Sequence, residues 1–195
     1  PDNFETRHYS DDEVYNLYLN TVRYQDRFVG KLIEEFKDAG LYDNTIFVIA
    51  GDHGEAFREH QRRLHNDTIW NEGIQVPMLI HAPGMTSSRV ISQPVANTAL
   101  LPNVVDLLGA EVTGGSYDYP SMLAGKEQPV YSSCWDDKQC VSVIEGDHKF
   151  IHFYGQQPDA WYDLARDSGE TDNRIDELSE AERDQHVSDL LSWIK

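Results

Sequence analysis

Basic residues are scarce in this chain: 16 Lys and Arg stand against 34 Asp and Glu, for a net charge of −18 at pH 7. A surface this acidic repels phosphate backbones and anionic headgroups, which excludes nucleic acid and anionic membranes as partners. Long apolar runs are missing as well. None approaches the roughly 18–20 residues of a membrane span. Cysteine is almost absent, with Cys134 and Cys140 the whole supply among 195 residues. That argues against a disulfide-dense scaffold, and the spacing does not resemble a zinc site. A hairpin turn at Trp135–Gln139 would set the two thiols opposite each other at a distance that permits a bridge. With no sign of an oxidising compartment, two free thiols are the expectation. The first residues, Pro1-Asp2-Asn3-Phe4-Glu5, show no Met, no basic n-region and no apolar h-region, so no signal peptide is visible; a cytoplasmic location is the expectation. Internal repeats and low-complexity tracts are also lacking.

What is present suits a globular protein: 39% apolar and 26% charged residues, in a length that buries one substantial core. The acids are spread along the chain rather than gathered in a tail. Such a surface stays soluble at high salt, where screening removes self-repulsion. A halophile's protein and an ordinary acidic enzyme both fit.

Apolar residues recur at three- and four-residue steps from Val14 to Phe36, which predicts an amphipathic helix over Val14–Ala39. Ser10 and Glu13 form a capping box before it and Gly40 stops it. Strands are expected at Thr45–Ala50 and Val76–His81, with a polar loop between them, and a second helix at Asn97–Leu108. The order is that of an α/β protein. After a loop-like stretch at Gly114–Pro120 the pattern changes. Pro129–Cys134, Val141–Glu145 and Phe150–Tyr154 alternate like antiparallel strands, and a final helix runs from Ser179 to about Ile194.

Chemistry concentrates in Asp43–Gly84. Thr45–Ala50 is β-branched and apolar on both faces, as a strand in the middle of a parallel sheet would be. It runs into Gly51-Asp52-His53-Gly54-Glu55, which places a carboxylate and an imidazole past the strand's carboxyl end. An Asp–His pair offers mixed oxygen and nitrogen ligands, suited to Mn²⁺, Zn²⁺ or Fe²⁺ more than to an all-oxygen cage. The polar stretch that follows adds His60 and His65, with Arg58, Arg62 and Arg63 as a basic cluster in an acidic protein. The arginines either focus a positive field on an anionic substrate or pair with Glu55, Glu59 and Asp67.

Several pieces occur together in order: Asp43-Asn44-Thr45, Gly51-Asp52-His53-Gly54-Glu55, Glu72-Gly73-Ile74-Gln75-Val76-Pro77 and Ala82-Pro83-Gly84. In this order they resemble the sulfatase and alkaline-phosphatase superfamily. Trp161-Tyr162-Asp163-Leu164, Asp167-Ser168-Gly169-Glu170 and Asn173 extend the resemblance over nearly the whole chain, with Ser168 and Trp161 departing from the family's Pro and Leu. The resemblance implies the C-terminal part of an alkaline-phosphatase-like α/β sandwich over 1–125. It further implies a small antiparallel-sheet subdomain with a terminal helix over 126–195.

By the same resemblance Asp52 and His53 are ligands of a divalent metal, Mn, Zn or Ca. His65 occupies the place of a catalytic Lys or His facing the substrate's anionic group. Many arylsulfatases carry Asn where His53 stands and use Ca²⁺, so the His leans toward the phosphatase, phosphonate-hydrolase and phosphoethanolamine-transferase branches. His60 matches a common Gly-Glu-His and is expected to shape the loop. Lys149 matches a lysine-tyrosine strand signature and is read as an edge-strand charge. Asp26, within the long helix, is read as structural. No Cys-x-Pro-Ser-Arg occurs, and the resemblance finds no counterpart of the family's upstream metal-binding acidic pair before Asp43. The expectation is part of a hydrolase of sulfate or phosphate esters, with the nucleophile in a missing N-terminal half, no turnover by this chain alone, and self-association through surfaces exposed by truncation. A non-catalytic domain of the same fold is the alternative. So is an unrelated metalloprotein with a self-contained site of Asp52, His53, His60 and His65.

Overall fold

The computed structural model describes residues 10–65, 69–134 and 140–194. They divide into two compact units, one running to Phe47 with His81–Thr86 and the other holding Val48–Ile80 and everything from Ser87 on.

In the first unit, helix α1 (Asp11–Asp38) begins on Ser10, whose side chain accepts from the Glu13 N–H while the Glu13 carboxylate accepts from the Ser10 N–H. Asp11, Asp12 and Glu13 add negative charge where the helix dipole is positive. Gly40, at a φ of 69°, ends it. No residue of α1 is fully buried, and Leu17, Val22, Phe28 and Leu32 stand exposed. The turn Tyr42–Asn44 packs its aromatic ring flat on His81.

Strand β1 (Phe47–Ala50) pairs with β4 (Met78–His81) and, among the described residues, with no other strand. It is half-buried, and Ala50 is exposed. This corrects the expectation of a mid-sheet strand covered on both faces: among the described residues β1 has one strand neighbour, and its side chains are only partly covered. The stretch expected as a polar loop contains a minimal hairpin, β2 (Ala56–Phe57) against β3 (Arg63–Leu64), and the short helix α2 (Asn71–Ile74) follows. Asn97–Leu108 resolves into a 3-10 turn at Asn97–Ala99 and α3 (Leu100–Leu107).

The larger core lies around an antiparallel sheet ordered β5 (Val130–Ser133), β6 (Val141–Glu145), β7 (His148–His152), β8 (Ala160–Asp163). Gly146, at a φ of 58°, makes the tight turn that pairs Glu145 with His148. That turn sets the start of β7 two residues before the expected Phe150. Alternation sorts the strands' faces. Val141, Val143 and Phe150 meet Leu190 and Val187 of α4 (Glu180–Trp193), a helix started by the Ser179–Glu182 capping box. Ile151 and Tyr162 meet Ile69 and Trp70 on the other face. β8 was not anticipated, because Ala160–Asp163 is short and mixed. Asn173 holds it, its Oδ1 accepting from the Trp161 N–H.

Cys134 and Cys140 form a disulfide, with Cα atoms 5.2 Å apart, against the expectation of free thiols. Both sulfurs are buried against Ile151 and Phe153, so the core brings them into bonding reach. The turn expected between them, 135–139, lies outside the described residues. Among the described residues no helix is long and apolar enough to cross a membrane.

Candidate active site

Gly51 leaves β1 with its N–H on the Pro77 carbonyl, while the Asn97 side-chain amide donates to the Gly51 carbonyl. Gly54 then donates to the Gly73 carbonyl at 2.8 Å. A Cβ on Gly54 would overlap the Glu72 carbonyl oxygen, so glycine is required here by proximity. These bonds pin both ends of Asp52-His53.

Asp52 and His53 converge. His53 Nδ1 lies 2.8 Å from the Gly54 carbonyl, which can only accept, so Nδ1 carries the proton and Nε2 keeps its lone pair. Nε2 stands 3.7 Å from Asp52 Oδ2. That is too long for a hydrogen bond. It is a gap that one ion with ligand bonds of about 2.0–2.2 Å could bridge. The backbone carbonyl on the far nitrogen is the arrangement that orients metal-bound imidazoles. The His53 backbone N–H donates to Asp52 and, with the Asp52 backbone N–H and the nearby His53 and His65 rings, holds the Asp52 carboxyl below its ordinary range. Its side chain is about 90% exposed, so it stays ionised and accessible. Asp52 and His53 thus fit part of a divalent-metal site. Among the described residues no group of three or more metal donors exists, so further ligands would have to join them.

His65 arrives from the far leg of the hairpin. Its ring stacks on His53 with centroids 3.7 Å apart, and its Nδ1 lies 3.3 Å from Glu55 Oε2. Glu55 Oε1 is buried without a hydrogen-bond partner among the described residues. Asp52, His53, Glu55 and His65 therefore come together.

His60 does not join them, which rules out the self-contained site of Asp52, His53, His60 and His65. Its Nδ1 is 2.8 Å from Glu72 Oε1, its Nε2 2.9 Å from the Glu170 carbonyl, and its ring stacks on Trp70. Nor is Lys149 an edge-strand charge. β7 is an inner strand, and Lys149 is fully buried with its Nζ 2.6 Å from Glu170 and 2.7 Å from the Ile69 carbonyl. Burial pushes this ammonium's pKa down, and the Glu170 charge opposes that shift. Glu170 also accepts from the Asn71 N–H. Glu170 and Glu72 were missed as partners. Both lie in the pieces that carry the family resemblance, Glu72-Gly73-Ile74 and Asp167-Ser168-Gly169-Glu170, and nothing in those pieces names their partners. Of the arginines' expected partners, Glu55 turns to His65, Glu59 accepts from the Phe57 N–H, and Asp67 lies outside the described residues.

The Sulfatase family profile matches residues 1–110. A lipoteichoic acid synthase-like protein of Bacillus subtilis is 35% identical over 130 residues, covering 62% of this chain and 21% of that protein. Arylsulfatase K of Danio rerio is 30% identical over 111 residues, covering 55% of this chain and 21% of that protein. A crystal structure from Bacteroides thetaiotaomicron, assigned as a sulfatase, superposes with a TM-score of 0.72 at 22% identity, over 96% of this chain and 44% of that one. The fold is therefore alkaline-phosphatase-like α/β, and the chain spans less than half the length of each of these relatives, about a fifth of the first two.

Proposed function

The chain belongs to the sulfatase family, and on that premise we propose that it contributes a metal-ligating pair and an anion-facing histidine to the hydrolysis of a sulfate ester. The observation that carries this reading is the convergence of Asp52 Oδ2 and His53 Nε2 to 3.7 Å with His65 stacked alongside. A divalent metal at such a site supplies Lewis acidity toward the ester's anionic oxygens. Asp52 holds a negative charge there, and His53 presents the nitrogen that the Gly54 carbonyl leaves unprotonated. Glu55 grips His65 Nδ1, which turns the opposite edge of the ring outward to donate to a sulfuryl oxygen or to the leaving oxygen.

Remaining ligands and the nucleophile come, in this reading, from residues outside this sequence. The one-sided pairing of β1 and the exposed apolar face of α1 support that. The same exposed surfaces would drive self-association of the isolated chain. A second reading, phosphoester hydrolysis or phosphoethanolamine-type transfer, draws on the lipoteichoic acid synthase-like relative and on His53 itself.

The test has a binding arm and a turnover arm. Titration with Mn²⁺ should show weak binding that His53→Ala abolishes. With 4-nitrophenyl sulfate, 4-nitrophenyl phosphate and phenylphosphonate, the 195-residue chain alone should turn over none. A parent protein carrying it should favour the sulfate. Turnover by the chain alone that survives Asp52→Ala would sink the reading.

A further inference from the structure

The hairpin that carries the site is too small to hold itself. Its ladder is Ala56 with Leu64 and Phe57 with Arg63. A lone two-stranded ribbon is marginal even when longer. Its backbone is also strained, with Arg58, His60, Gln61 and Leu64 at φ values of 92°, 47°, 59° and 65°. Non-glycine residues hold such angles where surrounding contacts over-determine them. Glu55 and His65 sit at the base of this hairpin, one on each leg. The direction of the hairpin therefore decides whether His65 lands on His53 and Glu55.

His60 is at the tip, and both of its ring nitrogens face acceptors. The Glu170 main-chain carbonyl can only accept, and so can an ionised Glu72 carboxylate. Both contacts are satisfied at once only when both nitrogens donate, as they do in an imidazolium. Its side chain is 15% exposed and that of Glu72 is 14% exposed. The other charges around it are the buried Lys149–Glu170 pair behind the Glu170 turn and Asp167, whose carboxylate senses the His60 charge. Lys149 completes the anchor, because it ties Ile69 and Asn71, the residues flanking Trp70, to the inner strand β7.

We propose that His60 is a positioning residue: a charged latch that clamps the hairpin tip to Glu72 and to the turn at Glu170, and so sets the stacking of His65 on His53. The proposal rests on the reading of Asp52, His53 and His65 as the site. It does not place His60 in contact with substrate or metal.

The test is ¹⁵N-histidine NMR on the full chain at pH 7. His60 should show two protonated ring nitrogens, and an inter-ring NOE should join His53 and His65. His60→Ala should abolish that NOE. Leu190→Ala, in the distant α4 core, serves as a control that lowers stability while leaving the NOE intact. Glu72→Gln is the second variant should His60→Ala fail to fold; it removes one acceptor charge and should cost His60 a proton and weaken the NOE. A neutral His60 in the unmutated chain, or a His53–His65 NOE that survives both substitutions, overturns the latch. A chain that binds no Mn²⁺ at all counts against the metal reading, and the NMR arm still decides the latch.

Discussion

Replacing Lys149 by Met should be among the most damaging single changes available in this chain. The Lys149–Glu170 pair is buried to 0% exposure on both sides, at 2.6 Å. Removing one partner of such a pair leaves an uncompensated buried charge and costs about 3–5 kcal/mol. The Ile69 carbonyl would lose its donor too, which adds to that cost on the order of 1 kcal/mol. Against a domain stability of about 5–15 kcal/mol, the variant should still fold, with a much lower urea midpoint. Glu170→Met alone should cost a similar amount, since it strands the ammonium and frees the Asn71 N–H. The double variant should cost well below the sum, because neither charge is then left alone in the core. Urea unfolding of the four proteins closes a double-mutant cycle, with an expected coupling of about 2–3 kcal/mol. A loss below about 1 kcal/mol for Lys149→Met, or additivity within about 0.5 kcal/mol, would refute the reasoning that this pair anchors the site segment.

Other outcomes follow from the same structure. Gly54→Ala should destabilise by about 1–3 kcal/mol and weaken Mn²⁺ binding, because its Cβ meets the Glu72 carbonyl oxygen; an unchanged urea midpoint would count against that packing. Reducing Cys134–Cys140 should lower stability by roughly 2 kcal/mol, read as the difference between melts with and without a phosphine reductant. The Asp167 carboxyl is held below its ordinary pKa, first by the Asp172 N–H and then by Thr171. A depressed carboxyl stabilises the fold above its unfolded value of 3.8 and loses that contribution as pH falls through the folded value. Asp167→Asn should therefore flatten the acid limb of stability against pH, and an unchanged limb would contradict the assignment. With a net charge of −18, raising KCl from 0.1 to 1 M shortens the screening length from about 10 to about 3 Å and should raise Tm; a salt-independent melt would remove self-repulsion as a factor.

Local features were legible because their causes lie within a few residues. Ser10 with Glu13 and Ser179 with Glu182 mark helix starts through bonds that span three residues. Val141–Glu145 reads as a strand because its neighbours dictate the pleat, and Gly51-Asp52-His53-Gly54 announces a strand end with two ligand-type side chains. The sequence by itself therefore determined the α/β class, the main helices and the strand end at which Asp52 and His53 lie. Tertiary structure alone decided what those residues touch. His60 finds a carbonyl 110 residues away and Lys149 one 80 residues away. Whether a lysine is an edge charge or a buried anchor depends on which surface covers it. That cover is set by packing across the sheet, and no window of sequence contains both partners.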